Sequence, residues 1–574
     1  MGTDIRVAGR EGGRATGVDQ ASLAPMLGLF GWASRRPQAI LLLLTLLCLV
    51  PFTNKAFQID DPLFIWTAKQ LTVHPLDPYG FSAVWWWHST PMWQLQLNPP
   101  LASYYMILIV SVAGWSERAL HFGFILPAIV VVVGTYRLAR RLTRRPFIAA
   151  AATLVAPGFL VSATSVMCDV SMLALWMLAV IFWIEGLDEQ RPLYLAISGV
   201  LIAACALTKY FGVSLVPLLF AYSLLGQRSF RSWIGYLVIP VLALAAYELY
   251  THHLYGSGMI YEAVQYYSQV RKLEGRSGRF LVGLAFAGGC ALPALTFVPL
   301  LWSRKQVLLG GILSLFLGVA FLRGWVNLGT VYQYQTWLHQ HKLFIAVQLV
   351  FFVAGAISIL SLTLADFWKN KSDATSALLL LWIAGTLFFS IVVNWTVNVR
   401  SLLPMAPAVA ILIARRLDTA RQQGLVLAIP LVASGAISLW VSAGDAALAN
   451  TARAAANYVH QKTRDDSSAV WFQGRWGFEY YMQNFGARPL EPDVYRCKFG
   501  DLIVLPLYNT ALAPVAMKVT AKESVDFAIH TGVTTMNPDA GAGFYFSGWG
   551  PLPFVFGTVP TQRYFMARVV QEQP

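Results

Sequence analysis

Charged side chains are scarce in this chain of 574 residues: Asp, Glu, Lys and Arg make up only 12% of it, about half the fraction that is typical of a soluble domain. Apolar residues make up 57%, and the mean hydropathy is +0.56. A water-soluble fold could not bury this much apolar surface. The composition therefore excludes disorder, a collagen-like fibre and a soluble globular protein, and it predicts a polytopic membrane protein.

Cysteine and histidine are also rare. The five cysteines lie mostly in or beside apolar runs and form no CxxC pair, which excludes a disulfide scaffold. The nine histidines are scattered, so nothing in the sequence supports a divalent metal, although none of it forbids one, and no cofactor is predicted. The Gly- and Arg-bearing segment 268–279 lacks the spacing of a phosphate-binding loop, so a nucleotide-sugar site has no support.

Positive charge is distributed unevenly along the chain. The formal net charge is +14, yet residues 444–574 contain 11 basic and 11 acidic side chains. The whole excess therefore lies in the apolar part and the N-terminal tail. That distribution is typical of the positive-inside rule of membrane proteins and not of a nucleic-acid partner.

Apolar runs within residues 39–443 predict about thirteen transmembrane helices of ~20 residues each. Residues 1–38 form a predicted cytosolic tail, and residues 58–100 a first outer loop with amphipathic helices. Basic clusters at alternate loops place the N-terminus in the cytosol and residues 444–574 outside. The latter alternate helical and strand patterns, which predicts a small α/β domain.

Six charged residues on the outer side are candidates for function. Asp60 and Asp61 precede Pro62 at the start of an amphipathic segment, which is also an ordinary helix cap. Asp169 can likewise be interpreted as an ordinary helix cap. Basic residues on the outer face oppose the positive-inside bias, and a bound phosphate would explain why Arg271 lies there. Lys209 and Arg400 lie near the ends of spans, where lone cations are commonly interfacial anchors. Each residue thus has a structural and a functional interpretation.

Five segments, in this order, resemble motifs of the GT-C glycosyltransferases, in particular the superfamily of protein O-mannosyltransferases and lipid A aminoarabinose transferases. They are DDPLFIWTAKQL from Asp60, NPPLASYY from Asn98, MCDVSMLALWMLAV from Met167, ALTKYFGVSLVP from Ala206 and VRSLLPMAPAVAIL from Val399. The resemblance covers roughly residues 40–420 and implies a GT-C fold with thirteen spans. Asn98-Pro99 replaces the Glu-Lys pair of the aminoarabinose enzymes, so the resemblance does not imply that sugar.

The resemblance also implies a reaction. An inverting transferase would move a monosaccharide from a polyprenyl-phosphate donor to a lipid, glycan or protein acceptor at the periplasmic face of a bacterial inner membrane. Asp60 would act as base, with Asp61 as its neighbour or substitute and Asp169 beside them. Lys209, Arg271 and Arg400 would bind the donor phosphate. The alternative is a multi-pass transporter or a flippase of lipid-linked sugars, which tends to have polar groups at mid-membrane.

Overall fold

The computed structural model describes residues 36–571, apart from 227–232, 271–275, 327–334, 420–423, 492–496, 508–509, 511 and 515–517. In that part, seven helices are long and apolar enough to cross a membrane: Glu117–Leu142, Cys168–Asp188, Ile234–Tyr255, Arg304–Leu322, His341–Lys369, Ala374–Val393 and Leu425–Lys462. Five apolar helices are shorter: Pro37–Phe52, Leu101–Ala113, Pro192–Thr208, Tyr210–Leu225 and Gly278–Cys290. A polytopic helical fold is thus confirmed.

The helix pattern departs from the predicted runs in two places. One of the apolar runs is split into helices Pro146–Leu154 and Pro157–Ser162, because Pro157 lacks the amide hydrogen that would continue the helix. Helix Leu101–Ala113 was not predicted as a separate span. The number of thirteen spans stays a prediction, and residues 1–35 of the predicted tail lie outside the described residues.

The first outer loop contains one regular helix and a small hairpin. Helix Asp61–Val73 begins with Pro62 in its first turn, where the missing amide hydrogen of proline is harmless. Strands β1 (Ser82–Val84) and β2 (Ser89–Pro91) pair antiparallel, and helix Met92–Leu95 follows. Other helices outside the apolar set are Met259–Val270, Pro293–Thr296, Val298–Leu301, Val399–Leu402, Ala406–Leu417 and Trp476–Asn484.

The C-terminal region is organised around a mixed sheet of five strands. In chain order these are β3 (Val470–Phe472), β4 (Arg488–Pro489), β5 (Leu502–Pro506), β6 (Lys518–Phe527) and β11 (Gln562–Gln571). They lie in the order β4-β3-β5-β11-β6, with β3 parallel to β4 and β5, and β11 antiparallel to β5 and β6. Short pairs involve β7 (Val533–Thr534), β8 (Met536–Asn537), β9 (Ala542–Gly543) and β10 (Val555–Phe556). Strands and helix Trp476–Asn484 thus occur together in this region, in agreement with the predicted mixture of helical and strand patterns.

Helix Leu425–Lys462 joins the apolar part to the C-terminal region without a break. It runs through the predicted boundary between residues 443 and 444, so one continuous helix links the two. The division into three parts stays a prediction, because a boundary inside a helix does not mark where one folding unit ends.

Basic segments that were predicted to share the cytosolic side contact one another. Thr143 donates a hydrogen bond to Asp418 over 2.9 Å, and Arg416 donates one to the Leu301 carbonyl over 3.2 Å. Arg415 forms an ion pair with Asp366 at 3.1 Å. These contacts gather the ends of several helices at one end of the bundle, which agrees with the predicted sidedness, while the orientation in a membrane stays a prediction.

Candidate active site

The two carboxylates that open the first outer loop lie in different environments. Asp60 directly precedes helix Asp61–Val73, and its side chain is 26% exposed and forms an ion pair with Arg400 at 2.7 Å. Asp61 is fully buried and accepts backbone amide hydrogen bonds from Gln58 (2.9 Å) and Val166 (3.0 Å). Asp60 is therefore the carboxylate that a substrate can reach, and Asp61 links its own loop to the segment before helix Cys168–Asp188.

Burial controls the ionisation of Asp61. It raises the pKa of this carboxyl to about 7, although the two backbone hydrogen bonds and the charge of Lys55 act in the opposite direction. Because Asp61 is buried and both of its oxygens already accept amide hydrogens, an acceptor hydroxyl has little access to it. The two predicted catalytic neighbours thus differ in their access to a substrate.

Arg400 contacts Asp60 although the two residues are 340 positions apart in the sequence. Asn398 caps the short helix Val399–Leu402 by accepting a hydrogen bond from the Ser401 amide, and this turn positions Arg400. The guanidinium Nη1 donates to Asp60 and lies 3.0 Å from the sulfur of Met167, and its Nε is buried without a hydrogen-bond partner among the described residues. Arg400 thus retains a donor that Asp60 does not occupy.

A second ion pair lies beside the first. Lys209 follows helix Pro192–Thr208, and its Nζ contacts Asp169 Oδ1 at 2.5 Å. Asp169 is in the first turn of helix Cys168–Asp188 and is buried, and the charge of Arg400 also acts on it. The side chain of Lys209 is 18% exposed. Two carboxylates and two cations from four separate segments therefore form one alternating cluster.

The third predicted phosphate ligand belongs to the basic stretch 268–279. Arg271 lies outside the described residues. Arg279, from the same basic stretch, is buried and donates to the carbonyls of Ile391 and Trp395. It therefore holds the end of a neighbouring helix. In the residues that the structure describes, no three His, Cys, Asp or Glu side chains group where they could hold a metal ion.

Sequence reasoning missed a buried polar network next to Asp60. Lys55 and Asp445 form a fully buried ion pair at 2.6 Å. The same carboxylate accepts hydrogen bonds from Gln58 (2.6 Å), Thr535 (2.6 Å) and Tyr545 (3.0 Å). Lone charged residues at the ends of apolar runs were the available signal, since Lys55 follows the first run and Asp445 lies past the last. The network ties the segment before Asp60 to the C-terminal region.

Comparison with known proteins gives one match by sequence and several by structure. The sequence model of the family described as dolichyl-phosphate-mannose-protein mannosyltransferase matches residues 97–250. No individual curated protein sequence matches the chain. ArnT from Cupriavidus metallidurans, in its structure bound to undecaprenyl phosphate, is 13% identical, with 83% of this chain and 93% of that chain covered and a TM-score of 0.41.

An Archaeoglobus fulgidus oligosaccharyltransferase tethered with an acceptor peptide is 12% identical, with 80% of this chain and 64% of that chain covered and a TM-score of 0.48. The archaeal oligosaccharyltransferase AglB from the same organism, in complex with an inhibitory peptide and a dolichol-phosphate, is 14% identical, with 80% and 65% covered and a TM-score of 0.47.

The matched segment 97–250 contains three of the five resembling motifs, and two of the site residues, Asp169 and Lys209, lie within it. Together with the polytopic helical fold and the C-terminal strands, this match confirms the predicted resemblance of the chain to the GT-C glycosyltransferase superfamily and to its protein O-mannosyltransferase branch.

Proposed function

We propose that the chain is an inverting glycosyltransferase that moves a monosaccharide from a polyprenyl-phosphate donor to a lipid, glycan or protein acceptor at the periplasmic face of a bacterial inner membrane. The observation that carries the proposal is the partly exposed ion pair between Asp60 and Arg400, next to the pair of Asp169 and Lys209. The family that matches residues 97–250 is described by a lipid-phosphate sugar donor of the same chemical class.

The alternating charges suit a site in which a phosphate exchanges partners with a carboxylate. When a donor phosphate binds Arg400 and Lys209, the guanidinium transfers a hydrogen bond from Asp60 to a phosphate oxygen. Asp60 then has a free carboxylate oxygen that can accept a proton from the acceptor hydroxyl. Asp169 remains buried against Lys209 and holds the ammonium group in place.

The reaction then needs a single displacement. The acceptor oxygen bonds to the anomeric carbon as its proton passes to Asp60, and the bond from that carbon to the phosphate oxygen breaks. The electron pair leaves on the polyprenyl phosphate, whose negative charge Arg400 and Lys209 stabilise. One working carboxylate suffices because no covalent sugar–enzyme intermediate forms, and the anomeric configuration is inverted.

The test is Asp60→Asn in purified protein supplied with a panel of polyprenyl-phosphate sugars and acceptors. Asn keeps the size of Asp but is no base, so turnover should fall by about 10²- to 10⁴-fold while the yield of folded protein stays near that of the wild type. Asp61→Asn is the matched variant of the adjacent carboxylate and should act mainly on stability, as Asp61 is buried. Wild-type turnover in Asp60→Asn would refute the assignment of the base.

A further inference from the structure

One arginine of the C-terminal region is buried with its hydrogen-bond donors unused. Arg475 lies between strand β3 and helix Trp476–Asn484 and is 7% exposed. Among the described residues, neither its Nε nor its Nη2 has a hydrogen-bond partner. Buried donors on a charged group are costly to leave unpaired. An arginine kept in this state is expected to serve a ligand.

The unused atoms form one edge of the guanidinium. Its flat face stacks on the indole of Trp86, with Cζ 3.7 Å from the ring centroid, and Trp87 lies at 5.2 Å. Stacking fixes the plane of the guanidinium and leaves its edge free. Nε and Nη2 are the pair of donors that grips two oxygens of one carboxylate or phosphate group.

Arg475 forms no ion pair among the described residues, although the charge of Glu479 acts on it. Glu479, one turn further along the helix, is fully buried, has no ion pair with Arg475, and its Oε2 has no hydrogen-bond partner among the described residues. Burial raises the pKa of Glu479 well above its ordinary range, whereas burial lowers the pKa of Arg475 only to about 10. The guanidinium of Arg475 therefore stays charged at neutral pH.

A cavity connects this arginine with the backbone that presents Asp60. It has a volume of about 60 Å³ and is lined by Arg475, Gln58, Ile59 and Trp476, among others. The volume is about that of two water molecules and thus suits one oxyanion group. The charges of Asp60 and Arg475 both act on the hydroxyl of Tyr266.

The backbone around this cavity is strained. Only four non-glycine residues in the described part of the chain have positive φ. Two of them, Ile59 (+50°) and Trp476 (+63°), line the cavity, and a third, Trp87 (+89°), lies beside Arg475. Each directly follows a residue of the site, namely Gln58, Trp86 or Arg475. Bulky side chains adopt this conformation only where the surroundings enforce it, and such strain collects at ligand sites.

We infer that Arg475 and Trp86 form a binding site for a carboxylate or phosphate group of the acceptor, so that the C-terminal region selects an anionic acceptor for transfer near Asp60. The inference rests on the proposed function, and its site is separate from Arg400 and Lys209, which face the donor phosphate. Two different segments of the chain would then recognise the two substrates.

The test is equilibrium dialysis of the purified full chain with radiolabelled glucose 6-phosphate, glucuronate and glucose, and separately with undecaprenyl phosphate. The wild type should bind at least one of the two anionic sugars about tenfold or more tightly than glucose. Arg475→Gln should abolish this preference, and Arg475→Lys should retain only part of it, because an ammonium group cannot grip two oxygens. Undecaprenyl phosphate should bind both variants as it binds the wild type.

Arg488→Gln is the matched control, because Arg488 is exposed and also stacks on an indole of the C-terminal region, that of Trp471, at 5.6 Å. It should keep the preference for anionic sugars. Arg475→Met tests a purely structural role: if Arg475 serves a ligand, removal of its unpaired charge should leave the midpoint of thermal unfolding unchanged or higher.

Four results would overturn the inference: no preference for either anionic sugar in the wild type, an unchanged preference in Arg475→Gln, a lower unfolding midpoint in Arg475→Met, or a parallel loss of undecaprenyl phosphate binding. The last would assign Arg475 to the donor. Failure of the proposed function gives a different result, namely normal transfer by Asp60→Asn or no sugar transfer by the wild type, with sugar binding at Arg475 unaffected.

Discussion

At the scale of single residues, adjacent Asp60 and Asp61 show how burial separates two identical side chains. Asp61 has a pKa of about 7 in the folded protein, and its ordinary value is near 4. The folded state therefore binds more protons than the unfolded state between these two pH values. Consequently the contribution of Asp61 to the free energy of unfolding decreases as the pH rises from about 4 to about 7, by up to about 4 kcal/mol.

Asp61→Asn should remove this part of the pH dependence. Because Asn offers one oxygen where Asp61 accepts two amide hydrogens, the variant should also be less stable at acid pH by about 1–3 kcal/mol. Midpoints of thermal unfolding at pH 4.5 and 7.5 measure both effects. Equal slopes in Asp61→Asn and the wild type would contradict the assignment to Asp61.

Arg400 yields a second prediction at this scale. Arg400→Lys keeps the charge but not the planar fork, so binding of undecaprenyl phosphate should weaken by about 1–3 kcal/mol through loss of a charged hydrogen bond. Arg271→Lys tests the remaining predicted phosphate ligand in the same way. Arg416→Lys at the opposite end of the bundle is the control and should bind as the wild type. A merely interfacial Arg400 would tolerate lysine with no change in affinity.

At the scale of elements, helix Trp476–Asn484 packs directly on the segment that leads to Asp60. Tyr481 accepts a hydrogen bond from the Phe57 amide over 2.8 Å. A Cβ atom at Gly477 would lie 1.9 Å from the Phe57 carbonyl oxygen. The carbonyl oxygen belongs to the main chain and a Cβ atom is bonded directly to it, so neither can move aside unless its whole segment shifts. Glycine is therefore required at position 477 for close approach of two backbones.

Gly477→Ala should displace this helix from the Phe57 segment and shift Asp60 away from its working position. We expect a lower unfolding midpoint together with a loss of transfer of about tenfold or more, since misplacement of about 1 Å can cost about 10²-fold in rate. Gly235→Ala is the control, because a Cβ there meets no atom within 4 Å, and alanine favours a helix by up to about 1 kcal/mol. Equal behaviour of the two variants would show that the contact at Gly477 is unimportant.

At the scale of the whole molecule, the basic clusters at the helix ends predict how the chain is oriented in the membrane. Reporter fusions after Leu142 and Arg416 should be cytosolic, whereas fusions after Gly258 and Gly474 should be exported. The reason is the positive-inside bias of the clusters near Arg141 and Arg415, which the structure gathers together. An exported reporter after Arg416 would contradict both the predicted span count and the outward placement of the C-terminal region.

The sequence by itself determined the membrane class, the helical fold, the strands that end the chain and the candidates Asp60, Asp169, Lys209 and Arg400. These depend on composition, on apolar runs and on short motifs, all of which are local along the chain. Only the family resemblance ranked Asp60 above Asp61; the local pattern could not, because adjacent residues share it and differ only in what packs on them.

Only the tertiary structure decided which distant charges meet. The pairs Asp60–Arg400 and Lys55–Asp445 join residues 340 and 390 positions apart, and no periodicity in a single sequence encodes such a contact. The same holds for Arg475. In the sequence it is a single cation in a polar region and looks like any surface arginine. Only the structure shows that it is buried and stacks on Trp86. Side-chain function here follows from desolvation and from partners, and both arise when separate segments pack together.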